Sequence, residues 1–153
     1  MKTLIITKEM LDADNFYIGS ESVENFEGHI EISANLGYVK FKGSLRASGR
    51  IVSLAGTSIK AGNFIKAGTS IKAGESIEAG WFIEAGTSIK AGESIKAGGF
   101  IEAGGSIVSK WIDCRLRIFA GLINYRLPTR EEMQIKAEIR NGTVAHGEVV
   151  KPD

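Results

Sequence analysis

Isoleucine recurs every six residues through the middle of the chain, and the positions around it alternate between apolar and polar. From Thr57 to Ser109 the chain repeats a six-residue unit that typically ends in isoleucine, a charged residue, alanine and glycine. Alternate residues of a β-strand point to the same side, so the isoleucine and alanine share one face and the charged residue points away. A helix would spread a six-residue repeat around its circumference. The unit therefore predicts a short strand and then a corner, which we assign to glycine because it tolerates unusual backbone angles.

A second period predicts how many strands make one turn. The residue before each isoleucine of the repeat is serine, except at Phe64, Phe82 and Phe100, which are eighteen residues apart. Eighteen residues are three units, so each turn has three faces, and residues eighteen apart stack at the strand spacing of about 4.8 Å. Stacked turns bury their apolar residues in one continuous core. The predicted fold class is all-β, a triangular parallel β-helix (a solenoid) with about 18 residues per coil. The repeat does not determine its handedness.

Stacking also predicts which outward-facing charges meet. Lys60, Glu78 and Lys96 alternate in sign on one face, which favours the stacked register over a slip by one coil. On another face Lys72 and Lys90 stack like on like, a mild repulsion that solvent can screen. Exposed ion pairs contribute little individually, so we interpret these charges as markers of register.

The chain length and the limits of the repeat predict the domain organisation. A chain of 153 residues fits a single domain, with an N-terminal cap at 1–27, the β-helix at 28–125 and a tail at 126–153. The β-helix would then comprise a little over five coils. Lys2–Thr7 has the composition of a strand, and a helical turn is expected around 9–11. This segment is expected to cover the core, because the terminal repeats of solenoids are atypical caps.

The tail departs from the repeat and predicts a β-hairpin. Residues 133–140 and 143–150 flank Asn141-Gly142, a pair that suits the tight turn between antiparallel strands. The alternative is that Ile135, Lys136 and Ala137 form one more coil.

Neither composition nor motifs indicate catalysis. The two histidines, His29 and His146, lie far apart. The single Cys114 cannot form an internal disulfide, so we expect a small, semi-buried residue, and no histidine lies near it in sequence to activate its thiol. The chain contains no phosphate-binding loop, CxxC pair or dinucleotide motif. We therefore expect no enzyme activity, no cofactor and no metal site.

Charge and hydropathy exclude further classes of partner. A net charge of +1 gives no strong field for nucleic acid or an anionic membrane. The basic residues form two groups at opposite ends of the predicted stack, with acids between them, so nucleic-acid binding is not expected. Those groups are Lys40, Lys42, Arg46 and Arg50, and Arg115, Arg117, Arg126 and Arg130. No segment has about 18 uninterrupted apolar residues, and Met1–Met10 has no signal-peptide pattern, so no membrane association and a cytoplasmic location are expected.

The phenylalanines eighteen residues apart form the candidate interaction face. Exposed aromatic patches of this kind usually mark protein interfaces. The face comprises Phe64, Trp81, Phe82 and Phe100 with Lys66, Glu84 and Glu102. The alternative is that the tail or the cap folds over these rings.

The Ile-x-Ala-Gly units resemble, in general design, the left-handed β-helices of hexapeptide-repeat acyltransferases. Hexapeptide-repeat acyltransferases place their small residue two before the aliphatic one, whereas here Ala follows two after it and the coils lack a histidine base, so acyltransferase activity is not expected. In its short windings and its absence of catalytic residues, the range 39–123 also resembles bactofilins, bacterial scaffold proteins with a triangular right-handed β-helical core. This resemblance implies end-to-end assembly. Ice-binding β-helices, a third comparison, present threonine arrays on one flat face. Thr57, Thr69 and Thr87 do not form one column, so ice binding is only a remote alternative.

Two classes of function follow as expectations. The first is a rigid, non-enzymatic binding module whose aromatic face or irregular tail docks on a partner protein or a second copy. A small phage-type inhibitor of a host defence complex would be one form of it. The second is a bactofilin-like scaffold that self-assembles. The extra sequence at both ends favours the first, and a dimer over a filament.

Overall fold

The computed structural model of the chain describes residues 1–152, which contain sixteen β-strands and two short 3-10 helices. The strands are β1 (Thr3–Ile6), β2 (His29–Ile32), β3 (Gly37–Phe41), β4 (Leu45–Ala47), β5 (Ile51–Ser53), β6 (Thr57–Ala61), β7 (Ile65–Ala67), β8 (Ile71–Ala73), β9 (Ile77–Ala79), β10 (Ile83–Ala85), β11 (Ile89–Ala91), β12 (Ser94–Ala97), β13 (Ile101–Ala103), β14 (Ile107–Phe119), β15 (Gln134–His146) and β16 (Glu148–Val150). The 3-10 helices are Lys8–Met10 and Glu131–Met133.

The strands stack in three parallel columns, one for each face of the solenoid. Face A contains β1, β2, β5, β8 and β11, face B contains β3, β6, β9 and β12, and face C contains β4, β7, β10 and β13. The long strand β14 crosses all three faces, because its successive segments pair with β11, β12 and β13, and β15 stacks on β14. The predicted all-β parallel solenoid is confirmed, with about seven turns.

Residues eighteen apart are paired in the regular part of the stack. Ile59, Ile77 and Ile95 follow one another on face B, as the eighteen-residue period predicts. Lys60 is therefore opposite Glu78, with 3.8 Å between Lys60 Nζ and Glu78 Oε1. The predicted register of the outward charges is confirmed.

The isoleucines and alanines of the repeat form one continuous core. Every repeat isoleucine from Ile59 to Ile107 is fully buried, and the alanines beside them are almost as inaccessible. Cys114 pairs with Ala97 and occupies an alanine position, so it is fully buried rather than semi-buried. Burial raises the pKa of the Cys114 thiol, which disfavours the reactive thiolate.

Glycine ends each repeat unit because successive turns approach too closely there for a side chain. The prediction that these glycines adopt unusual backbone angles was wrong. A Cβ on Gly80 would overlap the carbonyl oxygen of Gly62, one turn below, and a Cβ on Gly86 would overlap that of Gly68. Positive φ occurs within residues 1–152 at other glycines, namely Gly28, Gly37, Gly56, Gly121, Gly142 and Gly147. The corner is therefore crowded between successive turns, and any side chain would force them apart.

The N-terminal segment caps the core and also joins the stack. Met10, Leu11 and Tyr17 pack against the buried core, as expected of a cap. Strand β1 pairs in parallel with β2, and Phe16 and Phe26 make parallel bridges to the next turn. Parallel stacking thus begins before residue 28, which is one reason why the stack has about seven turns rather than a little over five.

The C-terminal strands pair with each other, but not through a turn at Asn141-Gly142. Gly142 lies inside β15, and β16 pairs with β15 in parallel, so that Gln134 is opposite Glu148. Ile135 is fully buried and continues the isoleucine column of Ile107. The alternative of another coil is therefore the correct geometry. The stack overrides the local preference of Asn-Gly, because a further turn buries Ile135 and Ala137 against the core.

An inserted loop delays that last turn. Ala120 is still buried in the core, and the Gly121 and Leu122 amides donate hydrogen bonds to the turn below. Residues 123–133 then leave the solenoid, and the step from Ile107 to its partner Ile135 is consequently twenty-eight residues. Within the loop Arg126 makes two hydrogen bonds of 2.8 Å to the Glu132 carboxylate, which also accepts a hydrogen bond from the Thr129 amide. The hydrogen bond from Arg126 lowers the pKa of Glu132 to about 2. The loop is thus held in one shape by charge-assisted hydrogen bonds.

Candidate interaction surface

The three repeat phenylalanines form a stacked ladder on face C. The ring centroids of Phe64 and Phe82 are 4.7 Å apart with planes 5° from parallel, and those of Phe82 and Phe100 are 5.0 Å apart with planes at 2°. Each ring precedes the first residue of a face C strand, so the eighteen-residue register sets the ring spacing. Each aromatic contact contributes about 0.5–1.5 kcal/mol beyond the area it buries. The ladder is therefore a rigid, half-buried aromatic strip.

Two exposed apolar side chains flank the ladder. The Trp81 ring meets Phe82 edge-on, with centroids 5.6 Å apart and planes at 65°, and Trp81 is 59% exposed. The Gly99 amide donates a hydrogen bond to the Trp81 carbonyl oxygen, and the Leu116 amide donates one to the Gly99 carbonyl oxygen. Leu116 therefore lies two turns beyond Trp81, at the same position of the coil. Leu116 is 55% exposed. We call Phe64, Trp81, Phe82, Phe100 and Leu116 the aromatic face.

The predicted charged residues form a parallel column beside the ladder. Lys66 Nζ lies 3.5 Å from Glu84 Oε1, whereas Glu84 is opposite Glu102, another acid. Burial, and then the Glu84 carboxylate, raise the pKa of Glu102 above its usual value, and Lys66 opposes this shift. All seven residues predicted for the site therefore lie together on one face.

The raised pKa of Glu102 predicts a pH-dependent cost in stability. Because its pKa is higher in the folded than in the unfolded chain, ionised Glu102 destabilises the fold at neutral pH, and this cost disappears as the pH falls through the raised pKa towards the usual 4.5. Replacing Glu102 with glutamine should raise the free energy of unfolding by about 0.2–1 kcal/mol at pH 7 and by nothing at pH 3. Urea titrations at both pH values measure the difference. Glu102→Lys, which places a base opposite Glu84, should stabilise at least as much at pH 7, and a loss of stability in both variants would contradict this interpretation.

The inserted loop presents a second apolar surface, which the sequence analysis located only as an irregular tail. Tyr125 is 78% exposed and Leu127 is 90% exposed, on either side of the anchored Arg126. A depression of about 460 Å³ adjoins Leu127 and is lined by residues that include Leu122, Pro128 and Met133. Large apolar side chains on an anchored loop are a feature of contact surfaces.

The histidines have structural hydrogen bonds at separate places. His29 Nδ1 accepts a hydrogen bond of 2.9 Å from the Arg50 amide, and His146 Nδ1 lies 2.6 Å from the Ala120 carbonyl oxygen. Across residues 1–152 no three His, Cys, Asp or Glu side chains are arranged to hold a metal ion. No helix in the same range is long and apolar enough to cross a membrane.

The basic residues do not form one uniform surface. Lys40 and Lys42 lie over the Phe16 ring, with Nζ atoms 5.4 and 5.5 Å from its centroid. At the other end Arg126 is paired with Glu132. Phe100, Arg115, Arg117 and Phe119 line a shallow depression of about 520 Å³ at the end of the ladder. The arginines there border the aromatic face rather than forming a basic track.

The sequence analysis did not identify Leu116 as part of the site. It lies in β14, where the repeat has lost its regular step, so its alignment with Trp81 was not visible. Counting back from Ile118, which pairs with Ile101, would have placed it.

Comparison with known proteins provides no further information on this surface. No protein-family model, no curated protein and no solved structure has significant similarity to the chain.

Proposed function

We propose that this solenoid is a rigid, non-enzymatic protein-binding module that contacts a partner protein through its aromatic face. The observation that carries the proposal is the stacked ladder Phe64–Phe82–Phe100 with Trp81 exposed beside it. Tryptophan and other large aromatic residues supply much of the binding energy at protein interfaces. Single exposed apolar residues are common on any protein, but a contiguous aromatic strip is not.

The rigidity of the strip supports the same function. Each ladder ring is fixed by its neighbours and by the strand below it, so binding would cost little side-chain entropy. Lys66 and Glu84 provide a charged border, which is typical of the rim of an interface. A small phage-type inhibitor that blocks a host defence complex would be one use of such a module.

The loop with Tyr125 and Leu127 is the second candidate surface for this function. Its exposed side chains and its Arg126–Glu132 anchor favour a role in contact with a partner. An unlimited bactofilin-like filament is a weaker candidate, because Met10, Leu11 and Tyr17 pack over the N-terminal end of the core. That packing favours a closed species over growth at both ends.

Affinity isolation with matched surface variants tests the proposal. Wild type, Trp81→Ser and Phe82→Ser would be used as baits. Lys72→Ser is the control, since the Lys72 side chain is exposed and lies on face A, away from the aromatic face. We expect a partner retained by wild type and Lys72→Ser to lose about tenfold or more in affinity with either aromatic variant, as at interface hot spots. Circular dichroism must show that each bait is folded.

The outcome that contradicts the proposal is equally specific. Equal retention by wild type, Trp81→Ser and Phe82→Ser would exclude the aromatic face as the contact surface. If Tyr125→Ser alone then abolished retention, the loop would replace it.

A further inference from the structure

The C-terminal end of the solenoid has an edge strand that is not covered. Within the part of the chain that the structure describes, β16 is the only strand stacked on β15, and it reaches only Gln134–Lys136. Within residues 137–146, β15 pairs on one side with β14 in an irregular register, and one register shift leaves Arg140 between the paired residues Ile139 and Asn141. An edge strand presents a row of backbone N–H and C=O groups that can pair with another chain.

At the N-terminal end β1 also has a single strand partner, β2, within the described residues, so the two ends differ in the side chains that pack on the core beside the edge. At the N-terminal end Met10, Leu11 and Tyr17 pack on the core. At the C-terminal end Ile139 is only partly buried, and a depression of about 450 Å³ beside it is lined in part by Val149 and Pro152. An association through one end alone stops at two copies, because a two-fold contact uses the same patch on both subunits.

The orientation of the backbone favours Ile139 as the centre of such a contact. In the regular turns the isoleucine N–H donates to the next turn, as from Ile65 to the Phe82 carbonyl oxygen at 3.0 Å. Ile139 continues the isoleucine column of face B through Ile112, so its N–H and C=O point away from β14, towards the open end. Two such residues facing each other across a two-fold axis can exchange both hydrogen bonds, which is the closely bonded pair of an antiparallel ladder.

In that arrangement the charges on either side of Ile139 in one copy are complementary to those in the other copy. An antiparallel pairing centred on Ile139 places Glu138 of each copy opposite Arg140 of the other. Both side chains are at least half exposed and lie on the outer surface, where Arg140 Nε is 3.6 Å from Glu138 Oε1 and the guanidinium lies over Trp111. The contact would therefore gain two intersubunit ion pairs with no charge left against its like.

We propose that this chain forms a closed two-fold dimer with a second copy of itself through the edge of β15, paired antiparallel about Ile139 with Glu138 opposite Arg140. This surface is distinct from the aromatic face, which the dimer leaves free on both subunits. One dimer would thus present two aromatic faces.

Charge exchange tests both the contact and its register. Light scattering over a hundredfold concentration range should give twice the chain mass of 16.4 kDa for wild type. Glu138→Arg and Arg140→Glu should each weaken dimerisation about tenfold or more, because each creates two like-charged pairs. An equimolar mixture of the two variants should restore the dimer. In the mixed dimer one subunit carries arginine at both positions and the other carries glutamate at both, so each pair across the axis again joins opposite charges.

Every other result overturns the proposal. A wild-type monomer at all concentrations excludes the dimer, and a mass that keeps rising excludes a closed one. A dimer that survives both reversals, or a mixture of variants that stays monomeric, excludes the register.

Phe82→Ser should leave the dimer intact, so failure of this inference and failure of the proposed partner contact are separable. Capture of an extended peptide by the edge in place of a second copy would appear as a wild-type monomer. Thermal unfolding controls for folding, and both substituted positions are exposed.

Discussion

Ile83→Ala is expected to lower the free energy of unfolding by about 2–5 kcal/mol, the cost of removing a large aliphatic side chain from a filled core. Ile83 is fully buried and paired with Ile65 below and Ile101 above. The cavity would open in the middle of the stack, where the backbone turns on both sides limit collapse. Because a solenoid is stabilised by contacts between neighbouring turns, two interfaces would be weakened at once.

Urea denaturation followed by circular dichroism measures this loss. Ile18→Ala is the matched control, since Ile18 is 61% exposed and its truncation should change stability by less than about 1 kcal/mol. Equal losses in the two variants would mean that the isoleucine column does not hold the fold together.

Gly104→Ala is expected to destabilise the solenoid by about 1–3 kcal/mol or more, whereas Gly105→Ala should be neutral or slightly stabilising. A Cβ on Gly104 would overlap the Gly86 carbonyl oxygen one turn below, and a backbone atom can move only if the turns separate. A Cβ on Gly105 would be 3.4 Å from the Thr87 carbonyl oxygen, an ordinary contact. Neither glycine has positive φ, so the comparison isolates the close approach of the turns.

The same denaturation assay compares the two alanine variants. Equal destabilisation by both would support a requirement for glycine backbone freedom, and it would contradict the steric account. A stable Gly104→Ala would show that the turns can separate at little cost.

The regular turns could be predicted from sequence because their information is local and repeated. The six-residue step determines which residues face inward, and the spacing of Phe64, Phe82 and Phe100 determines three strands per turn. These two periods together predict the register of the candidate site, including Lys66 beside Glu84.

The reason for the corner glycines could not be found in the same way. The atom that excludes a side chain at Gly80 is the carbonyl oxygen of Gly62, eighteen residues earlier. A local view of glycine suggests backbone freedom, and only the distance between stacked turns shows that space is the constraint.

The predicted turn at Asn141-Gly142 was wrong because the local preference of this pair competes with the pairing of Ile135 with the distant Ile107. Asn141-Gly142 favours a hairpin turn by itself, but the loop of residues 123–133 brings Ile135 back onto Ile107. The loop changes the step to twenty-eight residues, so the continuing isoleucine column is hidden from a search for six-residue spacing. The same loss of regular spacing concealed Leu116 on the aromatic face.

Site-specific photo-crosslinking tests the central claim, that the aromatic face is a protein-binding surface, most directly. A photoreactive phenylalanine analogue would replace Trp81 in one variant and Lys72, on face A, in another, and each would be irradiated in the cells that naturally contain the protein. The account predicts a defined adduct with one partner protein from position 81 and none from position 72. Adducts from both positions alike, or from position 72 alone, would contradict it.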